Sequence, residues 1–227
     1  MSLDMKDKYN LSKREQSFLL RKNLVELVYN AGKFEGLNTT LLQTEEIIKH
    51  NRALNVNADD VVTILNLKKG YQIIETEETV SLLDFSKKAN EIIAREDALI
   101  PGEFRTGGVT VSTMEGTYVP HRLTADQIES EFNDILAQEE SKTKKGLSLF
   151  LFMTKNQIFW DGNKRTAVVT VNKYFYENGL GIFTIPHKEF IEFNELLSRY
   201  YHSNVQNNDD VILTFMYERF IFCIDYI

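Results

Sequence analysis

Apolar residues recur at three- and four-residue intervals along nearly all of this 227-residue chain, and only one stretch breaks the pattern. That spacing puts them on one face of a helix, whereas a half-buried strand needs strict alternation. Helix starts are marked as well. Ser12 with Glu15, and Thr124 with Gln127, have the spacing of capping boxes. Asn57 precedes Asp59 and Asp60, a cap followed by acids that suit a helix dipole. The pattern predicts a helix over 12–32, then helices over 40–52, from 57, from 81, from 124, and over 142–155, 164–177, 187–202 and 209–224. Asn178 and Gly179 stop the 164–177 helix, and Asn208 or Asp209 caps the last. The break, residues 95–121, contains Pro101, Pro120, Gly102, Gly107, Gly108 and Gly116. Within it Val109 and Val111, then Tyr118 and Val119, read as two short strands around a turn at 114–116. The expected fold is mainly α with one β-hairpin, in one domain carrying an appended N-terminal layer.

Composition narrows the function classes. A net charge of -7 opposes a broad nucleic-acid surface, so nucleic acid is not an expected partner. One cysteine excludes a disulfide within the chain, and with only four histidines a Cys/His zinc cluster is out of reach. Residues 1–10 are polar and are expected to form a disordered or expression-derived tail, with no secretory signal. The longest apolar stretch, residues 147–153, is too short to span a bilayer, so no membrane association is expected. With its lone cysteine the protein is expected to be cytoplasmic.

The run from Asn156 to Val168, NQIFWDGNKRTAV, lies between two apolar helices. Asp161 and Gly162 suit a tight turn, and Asn163 is placed to cap the helix that follows. Lys164 and Arg165 then fall in that helix's first turn, where the dipole disfavours cations unless an anion is bound. The arrangement suggests a phosphate cradle, with Asp161 placed to hold a divalent cation that bridges phosphates. An ordinary helix–turn–helix with solvated basic residues is the alternative.

FWDGNKRTA resembles the core of the Fic/Doc (Fido) motif, HxFx(D/E)GN(G/K)RxxR, with Phe159, Asp161, Gly162, Asn163, Lys164 and Arg165 on matching positions. PGEFRTGGVTV, from Pro101, is similar to the family's PGxFR segment and the flap after it, and YVPH, at 118–121, to the end of that flap. FEGLNTTLLQTEEII, from Phe34, resembles the family's inhibitory-helix region. The resemblance implies a Fic-type helical bundle with a small hairpin flap: an N-terminal helical region over 11–80 and a core with C-terminal helices over 81–227. It implies transfer of AMP from ATP to a protein hydroxyl, with Mg²⁺ on Asp161. Gly162, Asn163, Lys164 and Arg165 would meet the phosphates, and Phe159 would anchor the loop. Glu35 would be the autoinhibitory glutamate. Gly108, Val109, Thr110 and Val111 would form the flap on which a target polypeptide, not identified by the sequence, adds as a strand. A homodimer is common among similar proteins.

Three positions depart from the pattern. Gln157 stands where the family has its catalytic histidine, and an amide has no pKa near neutrality with which to take a proton. Val168 replaces the family's second arginine, so Glu35 is expected to lack its ion-pair partner. Ala31 replaces the Ser/Thr of the inhibitory motif. Of the histidines, His121 closes the flap and is the candidate substitute base. Trp160 is expected to pack beside the loop. Three readings compete: a nucleotidyltransferase, a catalytically inactive Fic-fold regulatory or protein-binding module, and an all-helical DNA-binding regulator suggested by residues 142–177, which the net charge opposes.

Overall fold

Two helices are apolar on nearly every side and therefore occupy the centre. These are α7 (Lys142–Asn156) and α8 (Asn163–Asn178), packed against each other. Gly146 permits the close crossing, since a Cβ there would lie 2.5 Å from the Phe175 ring. The computed structural model describes residues 5–78, 80–203 and 209–223.

Around this pair run α1 (Lys13–Lys22), α2 (Leu24–Gly32), a single 3-10 turn (Lys33–Glu35), α3 (Leu41–His50), α4 (Ala58–Thr76) and α5 (Leu82–Ile93). A hairpin follows, β1 (Val111–Thr113) and β2 (Gly116–Tyr118), then α6 (Ala125–Ala137). After α8 come β3 (Ile182–Phe183), a second 3-10 turn (His187–Glu189), α9 (Phe190–His202), α10 (Asp209–Arg219) and β4 (Ile221–Phe222). The architecture is mainly α, as expected. α4 and α5 cover one side of α8, while α6 and α10 pack on α7.

The anticipated capping boxes form at Ser12 and Thr124, a third that was not anticipated forms at Thr40, and Asn57 caps α4. Three of the expected elements need correction. The helix over 12–32 is two helices, broken at buried Asn23, whose Nδ2 donates to the Leu19 carbonyl 2.8 Å away. The hairpin is shifted: Val111 pairs with Tyr118 and Thr113 with Gly116, leaving Val109 outside the strands and a two-residue turn at Met114 and Glu115. The last helix stops at Arg219, and Ile221 and Phe222 pair antiparallel with Phe183 and Ile182. Of its two expected caps, Asn208 lies outside the described residues and Asp209 is the first residue of the helix.

Residues 5–10 are not a loose tail. Met5 is buried, the Asp7 carboxylate accepts the Thr143 N–H at the start of α7, and Lys8 donates to the Tyr217 carbonyl. The Tyr217 hydroxyl donates back to the Lys6 carbonyl, and the Leu11 N–H to the Gly179 carbonyl. An apolar side chain and several backbone bonds thus tie this segment across α7 and α10. Among the described residues no helix is long and apolar enough to cross a membrane.

Candidate functional site

The loop between α7 and α8 begins with a left-handed residue. Gln157 has φ 46° and ψ 59°, and its Nε2 donates to the Thr154 carbonyl at 2.5 Å. The amide is therefore spent on the end of α7, against the buried Tyr201 side chain. Ile158 and Phe159 run antiparallel to Phe104 and Arg105: Phe104 bridges Phe159, and the Arg105 N–H donates to the Ile158 carbonyl at 3.0 Å. Phe159 is fully buried, its ring centroid 5.5 Å from that of Phe104.

Gly162 reverses the chain in the left-handed region, with φ 69°, where a Cβ would come within 2.8 Å of the Ala94 Cβ. Gly162, not Asn163, is the N-cap of α8, and no side chain caps that helix. Asn163 instead turns back on the loop, its Oδ1 accepting the Phe159 N–H at 2.8 Å and its Nδ2 donating to the Phe159 carbonyl at 3.0 Å. The expected cap is corrected. The side chain closes the loop and leaves the N-terminus of a 16-residue helix to other partners.

Lys164 leans toward the Phe34 ring, 5.9 Å from its centroid, in a largely enclosed setting. Burial pulls its ammonium below the ordinary lysine value, against the pull of Glu35 and Asp161. It also lines a cavity of about 360 Å³ between the hairpin and α9, with Val111, Met114, Ile191, Leu197 and Tyr201 around it. Of the expected flap residues, Val111 thus lines the cavity, while Gly108, Val109 and Thr110 form the irregular approach to β1. The flap is docked on α9. The Glu115 N–H donates to Ser198 Oγ at 3.0 Å, and Tyr118 stacks on Tyr201 at 5.1 Å. Thr113 Oγ1 gives its only proton to the Gly116 carbonyl, so His202 Nε2, 3.0 Å away, is the donor to it.

Arg165 has no solvent exposure. Its Nε lies 2.7 Å from Glu35 Oε1, and its Nη2 lies 2.8 Å from Asp97 Oδ2 and 3.9 Å from Asp161 Oδ1. Glu35 therefore does have an ion-pair partner, contrary to expectation. The partner is the first arginine of the motif, while Val168 is packed into the core. Burial raises the Glu35 carboxyl pKa, outweighing the opposing pull of Arg165.

Asp161 is half exposed, with one oxygen accepting the Gly162 N–H. Among the described residues no group of three or more His, Cys, Asp or Glu side chains is arranged for a metal. A lone carboxylate fits Mg²⁺ that brings phosphate and water ligands of its own, and not a resident ion caged by protein.

Several positioning residues carried little signal. Asn90, fully buried on α5, accepts the Gly102 N–H and donates to the Asp161 carbonyl and Thr166 Oγ1, all within 3.0 Å. Its one trace in the sequence is a polar residue on the apolar face between Ala89 and Ile93. Asp97 and Tyr201 have no comparable trace. Of the histidines, His121 is exposed and His187 lies against Tyr29. Trp160 packs on the flap base, where a Cβ on Gly107 would fall 2.9 Å from its ring.

This geometry can be set beside known proteins. Residues 81–175 match the model of the Fic/DOC family. The matched stretch covers α5, the flap and the whole loop. The fold extends the likeness. A Fic domain-containing signalling protein from Bacteroides thetaiotaomicron VPI-5482 superposes with a TM-score of 0.70 at 16% identity, over 92% of this chain and 86% of that one. A Fic family protein from Desulfovibrio desulfuricans G20 gives 0.69 at 15% identity, over 88% of this chain and 64% of that one. A fragment of Fic-1 from C. elegans gives 0.69 at 14% identity, over 93% and 65%. This chain thus spans less than two thirds of the latter two. A search of curated proteins finds no sequence match.

Proposed function

We propose that the loop 157–165 binds the phosphates of a nucleotide, ATP with Mg²⁺, and that the cavity under the flap holds the rest of it. The observation that carries this reading is the uncapped N-terminus of α8 beside Lys164, at one wall of that cavity. Backbone N–H groups, the helix dipole and an enclosed ammonium all favour an anion there. Asp161 would hold the metal, which on binding would neutralise phosphate charge. The apolar walls and the polar edges of Asn194 and Ser112 suit a flat heterocycle with hydrogen-bonding groups.

Transfer of AMP to a protein hydroxyl would form a bond from the hydroxyl oxygen to the α-phosphorus. The bond to the β-phosphate oxygen would break, releasing pyrophosphate, and the hydroxyl proton would need an acceptor. Gln157 offers none. Its amide is turned to the Thr154 carbonyl, which favours the second reading, a nucleotide-binding or protein-binding Fic module without useful turnover. Calorimetric titration with Mg·ATP tests the first claim: Lys164→Ala should weaken binding about tenfold, and a wild-type protein that takes up no ATP would sink it. Gln157→His with labelled ATP separates the readings. Strong new labelling of protein targets means that only the base is missing, and unchanged labelling supports the module.

A further inference from the structure

Arg105 is 4% exposed and faces no carboxylate within ion-pair distance among the described residues. Every hydrogen bond that its guanidinium makes goes to a main-chain carbonyl. Nε donates to Gln157 O at 2.5 Å, Nη1 to Gly107 O at 2.7 Å, and Nη2 to His121 O at 2.6 Å, Asn156 O at 3.1 Å and Pro120 O at 3.4 Å. These acceptors have a common geometry. Gly107 is the last residue before the flap, Pro120 and His121 follow β2 after Val119, and Asn156 and Gln157 end α7. Carbonyls at a helix C-terminus lack intrahelical partners and carry the negative end of the dipole, so a cation satisfies them well. The planar fork with five N–H groups can reach all three segments at once, which a single ammonium cannot.

We infer that Arg105 is a positioning residue that fixes both legs of the flap to the end of α7, and so sets the height of the flap over the loop at Gln157. Two further contacts point the same way. The Trp160 ring fills the space beside Gly107, and Tyr118 stacks on Tyr201, which in turn lies against Gln157. Removing the guanidinium leaves the flap held by its contacts on α9 and by the Trp160 ring beside Gly107, with no hydrogen bond from a side chain joining its legs to the end of α7. The consequence for ligand affinity rests on the nucleotide reading above; the mechanical claim does not.

The test is hydrogen exchange followed by mass spectrometry on wild type, Arg105→Met and Arg105→Lys. Arg105→Met keeps a buried stem and removes every donor; Arg105→Lys keeps one centre of charge. In Arg105→Met the peptides over 107–121 and 156–162 should exchange about tenfold faster or more, while those of α8 keep their wild-type rates, with Arg105→Lys in between. Wild-type exchange of the flap in Arg105→Met overturns the inference. So does equal acceleration in α8, or failure of both variants to fold, since either makes Arg105 a general structural residue. If Arg105→Met alone fails to fold, Arg105→Lys decides by the same comparison. Mg·ATP titration on the same proteins keeps the claims apart: absence of binding to wild type sinks the nucleotide reading and leaves the exchange result standing.

Discussion

At position 165 a guanidinium with no solvent exposure is held by Glu35 and Asp97, with Asp161 farther off. Its removal would strand these carboxylates, so Arg165→Ala should lower stability by about 2–3 kcal/mol, less than a fully enclosed pair because Glu35 and Asp97 side chains remain 33% and 39% exposed. Chemical denaturation would check this, and an unchanged midpoint would mean that the cluster contributes nothing net. It follows that a lost activity in Arg165→Ala would not by itself identify a phosphate ligand, whereas Lys164→Ala is the cleaner probe. Glu35 also has a pH signature. Its carboxyl is raised in the folded protein, chiefly by burial, so the folded state takes up this proton more readily than the unfolded chain. That preference is present below the ordinary carboxylate value and is lost as pH rises through the raised one. Glu35→Gln cannot ionise, so its stability relative to wild type should increase from about pH 4 to about pH 7. Urea midpoints measured at both ends would show it; a relative decrease would mean that attraction to Arg165 outweighs burial.

Among the elements, those with local signals are read most easily. Capping boxes at Ser12, Thr40 and Thr124 depend on residues three apart, and all three form. The β3–β4 pair joins Ile182 and Phe183 to Phe222 and Ile221, across two intervening helices, and nothing local in two-residue apolar segments announces it. The break at Asn23 is similarly quiet, since the apolar face continues on both sides and a single asparagine that bonds back to the Leu19 carbonyl is a weak stop signal. The turn into α8 is the opposite case, because its glycine is required twice over. A Cβ at 162 meets left-handed backbone strain and the Ala94 methyl together. Gly162→Ala should therefore cost about 1–3 kcal/mol and shift the loop, while Gly108→Ala, with open space around it, should cost much less. Comparing the thermal midpoints of the two variants checks this; equal losses would remove the argument for a strained turn.

On the scale of the molecule, the sequence exposes the site's order along the chain but not its closure in space. Phe159, Asp161, Gly162, Asn163, Lys164 and Arg165 are adjacent in sequence, so their shared loop is legible from spacing and resemblance. That Glu35 reaches Arg165, and that Asn90 and Arg105 hold the loop from behind, depends on contacts between segments 50 or more residues apart. The same holds at the N-terminus, where a polar run of residues looks like solvent-exposed tail until its partners are known. Met5 is 3% exposed, and Asp7 supplies an acceptor to the first turn of α7, the helix that carries the site. Burying a methionine side chain is worth about 1.5–3 kcal/mol and an N-terminal acceptor about 1 kcal/mol more. Deleting residues 1–10 should thus lower the urea midpoint by the equivalent of about 2–4 kcal/mol, and Asp7→Ala by about 1 kcal/mol. A deletion variant with the full-length midpoint would show that the strap rests on the fold without contributing to it. If the loss appears, the central helix pair depends on a segment more than 130 residues away in sequence, since Asp7 and Thr143 are separated by 136 positions. Loosening the strap should then speed hydrogen exchange at the first turn of α7 before it reaches the loop at its far end.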